Sequence, residues 1–153
     1  MLKNVLKFLG VAAGIAVLGL GAMYGIKYFK YRNDPDYRAT LEMEKLNKLY
    51  AQDSFGGDTP EETLRLFIDA LKNGDTNLAA KYFVLDKQSV WKEYLAKIKE
   101  KGMLENMIGD LAKTNLKVND NTAFFTLFNN DGFESQLVMH KNLLNGKWKI
   151  TEL

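Results

Sequence analysis

Nineteen consecutive residues without a charge, Phe8 to Ile26 (FLGVAAGIAVLGLGAMYGI), sit between Lys7 and Lys27 and constrain this chain more than any other feature. As a helix such a run reaches roughly 28 Å, close to the roughly 30 Å hydrocarbon core of a bilayer. Tyr24, Tyr28 and Tyr31 suit the headgroup level, and Lys27 and Lys30 can snorkel toward water. A cleaved secretory signal shares the basic start, but its apolar centre is usually about 7–15 residues long. No A-x-A site follows here, and a basic cluster comes straight after the run. The expectation is an uncleaved transmembrane helix that partners the lipid bilayer through residues 8–26. Gly10-x-x-x-Gly14 and Gly21-x-x-x-Gly25 offer small faces that are more simply read as composition than as a dimer seam.

Charge divides the chain in the same place. Residues 1–38 carry Lys3, Lys7, Lys27, Lys30, Arg32 and Arg38 against Asp34 and Asp36, so the remaining body is mildly acidic although the whole chain is +2. Near-balance excludes a nucleic-acid binder by bulk charge. The absence of cysteine excludes disulfides and thiolate chemistry, and a single histidine makes a His-rich metal site implausible. The basic flanks lean toward a cytoplasmic body, whereas the short, signal-like start leans the other way. The expected location is the cell membrane, single-pass, with the soluble domain extracytoplasmic.

Three regions follow: 1–32, a membrane anchor with basic flanks; 33–58, a connector helix and a flexible joint; 59–153, a soluble α+β domain. In the connector, Asp34 can cap a helix with Pro35 at its first position. Ala39, Met43, Leu46 and Tyr50 make a narrow apolar stripe over about 35–51, able to face the membrane, a twin chain or the body. Ser54-Phe55-Gly56-Gly57-Asp58 reads as the joint.

In the domain, Thr59-Pro60-Glu61-Glu62 is a helix start with the elements of a capping box. Leu64, Phe67, Ile68 and Leu71 line one face. Asn73-Gly74-Asp75 stops the helix, and Asp75 or Thr76 starts a short second one bearing Tyr82 and Phe83. Ser89 can cap a third, carrying Trp91, Tyr94, Leu95 and Ile98. Gly102 ends it, and Met103 to Leu111 reads as a fourth. Strands follow: Leu116 and Val118, then Thr122–Phe128, then a hairpin at Asn129-Asn130-Asp131-Gly132. Phe133–Lys141 and the alternating Lys147-Trp148-Lys149-Ile150-Thr151 complete the set. Helices followed by an antiparallel four-stranded meander predict an α+β fold.

The segment TPEETLRLFIDALKNGDTNLAAKYF at 59–83 resembles the opening hairpin of small bacterial domains in the nuclear transport factor 2-like superfamily. NGKWKI at 145–150 is similar to their final strand. The resemblance implies a curved antiparallel sheet wrapped around helices, a cone with an apolar cavity, and an envelope setting. It does not choose among enzymes, ligand binders and assembly modules.

No catalytic constellation is visible. His140 falls on the polar side of its strand and is expected to face solvent. Glu61 and Glu62 are explained by helix capping. The hairpin at 129–132 lacks the spacing and final Glu of a calcium loop. No cofactor or metal is implied. Tyr82, Trp91 and Tyr94 are candidates for lining the mouth of the cavity. Strand 122–128 is apolar on both faces, which makes Phe124 and Phe125 candidates for an interaction face toward a second copy, an envelope protein or the connector. The expected role is a membrane-anchored, non-enzymatic binding or interaction domain; the alternative is a small enzyme of isomerase or dehydratase type using the same cavity.

Overall fold

The computed structural model describes residues 2–128 and 134–153, with side chains at 14–127 and 135–153. The expected hairpin at 129–132 lies outside the described residues. The chain forms two compact units, residues 1–47 and 48–153.

The first unit holds helix α1 (Leu2–Asn33) and most of helix α2 (Pro35–Gln52). Asp34 caps α2 as its sequence suggests: Oδ1 accepts the N–H groups of Asp36 and Tyr37, both at 3.1 Å. Lys30 lies 5.6 Å over the Tyr37 ring across the break. Every side chain from Gly14 to Asn33 is exposed, Leu18 and Tyr24 at 75% each. Among the described residues, no helix is long and apolar enough to cross a membrane. The described side chains take in only residues 14–26 of the uncharged run, about 20 Å of helix. The expectation of a spanning segment therefore rests on the sequence of 8–26 alone.

The second unit is α+β. Helices α3 (Pro60–Lys72) and α4 (Thr76–Ala80), a 3-10 turn (Leu85–Lys87), α5 (Gln88–Glu100) and α6 (Leu104–Leu111) come first. A four-stranded antiparallel meander follows in the order β1 (Thr114–Asn119), β2 (Thr122–Phe128), β3 (Glu134–Lys141), β4 (Trp148–Glu152). Thr59 caps α3, its Oγ1 accepting from Glu62 N–H at 3.2 Å, while the Glu62 carboxylate accepts Asp58 N–H at 2.7 Å. Gly74 (φ +65°) ends α3 with paired bonds from its own N–H to Leu71 and from Asp75 N–H to Ala70, a geometry glycine adopts without strain. The α3 face, Phe83, Leu95 and Leu111 pack on the sheet face formed by Ala123, Phe125, Leu137, Met139 and Ile150.

Four expectations change. Helix α4 ends at Ala80, so Tyr82 and Phe83 lie beyond it, Phe83 in a bridge to Ile150. Ser89 does not cap α5, which starts at Gln88 behind the 3-10 turn and has no side-chain cap. The alternation expected along β4 fails, because Trp148, Lys149 and Ile150 are all buried. The outer edge of β4 is covered by chain from elsewhere: Ile150 N–H donates to Tyr82 O, Val84 N–H to Ile150 O, and Trp148 N–H to Gly57 O. Finally, the segment read as a flexible joint is tied down. Gly57 N–H donates to the buried Thr63 Oγ1 at 2.8 Å, and Lys147 pairs with Asp58 at 2.8 Å. Gly56 has φ +117°, and a Cβ there would meet the Trp148 carbonyl. The folded body thus begins near Lys48 rather than at Thr59.

Candidate functional site

Helix α5 repeats side chains at Trp91, Tyr94 and Ile98, spacings that keep them along one face, and Lys101 follows at its C-terminal cap. Gly102 (φ +68°) then ends the helix. Its N–H bonds Lys99 O, and Met103 N–H bonds Ile98 O, both at 3.0 Å, which sets Met103 beside Ile98 just before α6. Between the two helices and the sheet lies an open groove of about 430 Å³. Its floor is apolar: Ile98, Met107, Leu111, Leu127 and Leu153. Its rim carries Tyr94 and Lys97 from α5, Lys101 from the cap of that helix, and Asn106 and Asp110 from α6. An adjoining hollow of about 520 Å³ shares Trp91, Tyr94 and Leu153 and adds Lys87 and Val90.

A line of aromatic rings joins this groove to the core. Phe67 meets Phe83 edge-on at 5.6 Å, Phe83 stacks on Trp91 at 4.3 Å, and Trp91 meets Tyr94 edge-on at 5.2 Å. Such pairs hold ring orientations as well as burying area. Trp91 is thereby fixed as a wall, while Tyr94 stands 53% exposed at the edge.

Of the expected cavity residues, Trp91 and Tyr94 meet in this groove and Tyr82 does not. Tyr82 is buried, edge-on to Phe55 at 6.4 Å, and burial raises its phenol above the ordinary value. The expected interaction face also divides. Phe125 is 2% exposed within the helix-covered core, so it is unavailable to a partner. Phe124 points the other way, half-buried, opposite Lys117 and Val138 in register. The two differ by one residue on a strand, so they cannot share a face. His140 is exposed as expected, with Nδ1 3.2 Å from Thr151 Oγ1.

A second polar centre, around Lys149, has no signature in the local sequence. Its ammonium is buried and donates to Asp53 Oδ2 at 2.8 Å, Lys81 O at 2.6 Å and Phe55 O at 3.2 Å. Burial pushes its pKa below the ordinary lysine value, with the Asp53 hydrogen bond and charge opposing. Gln88 Nε2 donates to Phe83 O at 3.0 Å, with Asp53 Oδ2 3.4 Å away. Nearby, Asn145 Nδ2 donates to Tyr50 O and Asp53 O, and Asn142 Nδ2 to Tyr50 O, closing the C-terminal end of α2. Tyr50 OH donates to Asp86 at 3.4 Å, and burial followed by Asp86 raises its pKa. A small hollow of about 180 Å³ beside these groups is lined by Tyr50, His140 and Lys149 among others. Every proton of the ammonium is occupied, so Lys149 ties the body together and is not free to act as a base or nucleophile.

Among the described residues, no group of three or more His, Cys, Asp or Glu side chains is placed to hold a metal. Comparison with protein-family models, with curated proteins and with solved structures finds no match.

Proposed function

We propose that the chain is a single-pass protein of the cell envelope, anchored through residues 8–26, that presents a non-enzymatic, cone-like α+β binding domain outside the membrane. The resemblance of 59–83 and 145–150 to the nuclear transport factor 2-like superfamily supports the domain type. The uncharged run and its basic flanks support the anchor. The observation that carries the binding reading is the groove between α5, α6 and the sheet: a preformed apolar floor, a fixed tryptophan wall and a polar rim, within the roughly 300–1,000 Å³ of ordinary ligand sites.

An isomerase or dehydratase would need an ionisable group of shifted pKa inside that groove. Lys149, whose pKa burial lowers, lies outside the groove's lining and is held by Asp53, Phe55 and Lys81. The preformed apolar floor and the stacked Trp91 wall support binding.

Two measurements test the reading. The full chain should resist alkaline carbonate extraction from membranes, and Leu18→Arg combined with Gly14→Arg should release it. In phosphatidylcholine nanodiscs, with methionine methyls labelled, the neutral probe 1-decanol should shift Met103 and Met107 saturably and leave the buried Met139 still. Extraction of the native chain defeats the anchor. Unmoved Met103 and Met107 defeat the groove as a binding site.

A further inference from the structure

The groove is polarised across its width. Lys97 on α5 and Lys101 at its C-terminal cap are four residues apart, and both line the groove. Among the described residues neither makes an ion pair. Both are exposed, and the floor below them is apolar. The facing wall, α6, carries Asn106 and the carboxylate of Asp110. A group bearing negative charge is therefore drawn to the α5 side and repelled from the Asp110 side. Met103 and Met107, unbranched and polarizable, accommodate a flexible chain better than a rigid ring.

From this arrangement we infer that the groove takes a single-chain anionic amphiphile, its carboxylate at Lys97 and Lys101 and its alkyl chain along Ile98, Met107, Leu111 and Leu127. This rests on the binding reading of the same groove and adds the ligand class. A free inorganic anion lacks the alkyl chain that the floor would bury. A neutral alkyl chain leaves the lysine pair uncompensated.

The test uses the full chain in phosphatidylcholine nanodiscs, with decanoate and 1-decanol as paired probes and the Met103 and Met107 methyl resonances as the readout. Decanoate should bind at least tenfold tighter than 1-decanol, since each charge-assisted bond contributes about a tenfold factor. Lys97→Gln with Lys101→Gln should remove that advantage, bringing the two probes to equal affinity. Both positions are exposed, so the fold should survive, and an unshifted Met139 resonance confirms it. Asp110→Asn should tighten decanoate. Equal affinity for the two probes, or a double variant that keeps the preference, overturns the anionic ligand and leaves the binding reading standing. No saturable shift with either probe overturns both.

Discussion

A buried ammonium is tolerable only when each of its protons finds an acceptor, and Lys149 meets that condition through Asp53 Oδ2, Phe55 O and Lys81 O. Removing one partner of such a pair strands the other in a low dielectric, at a cost of about 3–5 kcal/mol. Lys149→Met should therefore lower the urea midpoint sharply, and adding Asp53→Leu should restore part of the loss, because the two changes share one interaction. The pH dependence has a definite sign. Burial depresses the folded-state pKa of Lys149 below its unfolded value of 10.5, so the folded chain holds fewer protons in that interval. Stability contributed by this group rises with pH from the lowered value up to about 10.5. Urea titrations across the alkaline range should show that rise in the native chain and its absence in Lys149→Met. None of this was legible in Lys147-Trp148-Lys149-Ile150-Thr151. A period-two pattern assigns Lys149 to water, and the acid that pairs with it lies 96 residues earlier.

Helix ends were the most legible feature of the chain, because their chemistry is local. Thr59 with Glu62, Asp75, Gly74 and Gly102 each act within a few residues of themselves, and each sits where its type predicts. Ser89 shows the limit. Its sequence context suits a cap, but a 3-10 turn at Leu85–Lys87 runs directly into α5 and carries Ser89 inside the helix. That turn follows from nonlocal bonds, Val84 N–H to Ile150 O and Lys87 Nζ to Thr151 O, which no local pattern encodes. Thr59→Ala should cost about 1 kcal/mol, the usual loss of a cap. Ser89→Ala should stay within about 0.5 kcal/mol, as a helix position without a capping role does. Paired thermal melts decide it: a Ser89→Ala loss equal to that of Thr59→Ala would restore Ser89 as a cap. The groove was half legible by the same logic. Trp91 and Tyr94 share one turn of α5, whereas Tyr82 is drawn away because its backbone joins β4.

The boundary of the folded body has the largest consequence. Sequence places it at Thr59, after a glycine-rich joint, yet residues 48–58 supply contacts that the sheet requires. Asp53 neutralises Lys149, Gly57 O accepts Trp148 N–H, Tyr50 O and Asp53 O accept the Asn142 and Asn145 amides, and Phe55 covers Tyr82. A fragment 59–153 would leave the Lys149 ammonium without its carboxylate, a loss of about 3–5 kcal/mol. Open backbone and amide groups would add to it. Total stabilities are only about 5–15 kcal/mol, so that fragment should be largely unfolded, or melt without a cooperative transition. A fragment 48–153 keeps every one of these partners and coincides with the second compact unit. It should unfold in a single two-state transition, with dispersed amide resonances. Circular dichroism melts of the two fragments side by side make the comparison. A 59–153 fragment that melts cooperatively at the same midpoint as 48–153 would show that the buried clasp is dispensable and that the glycine-rich segment is a linker after all.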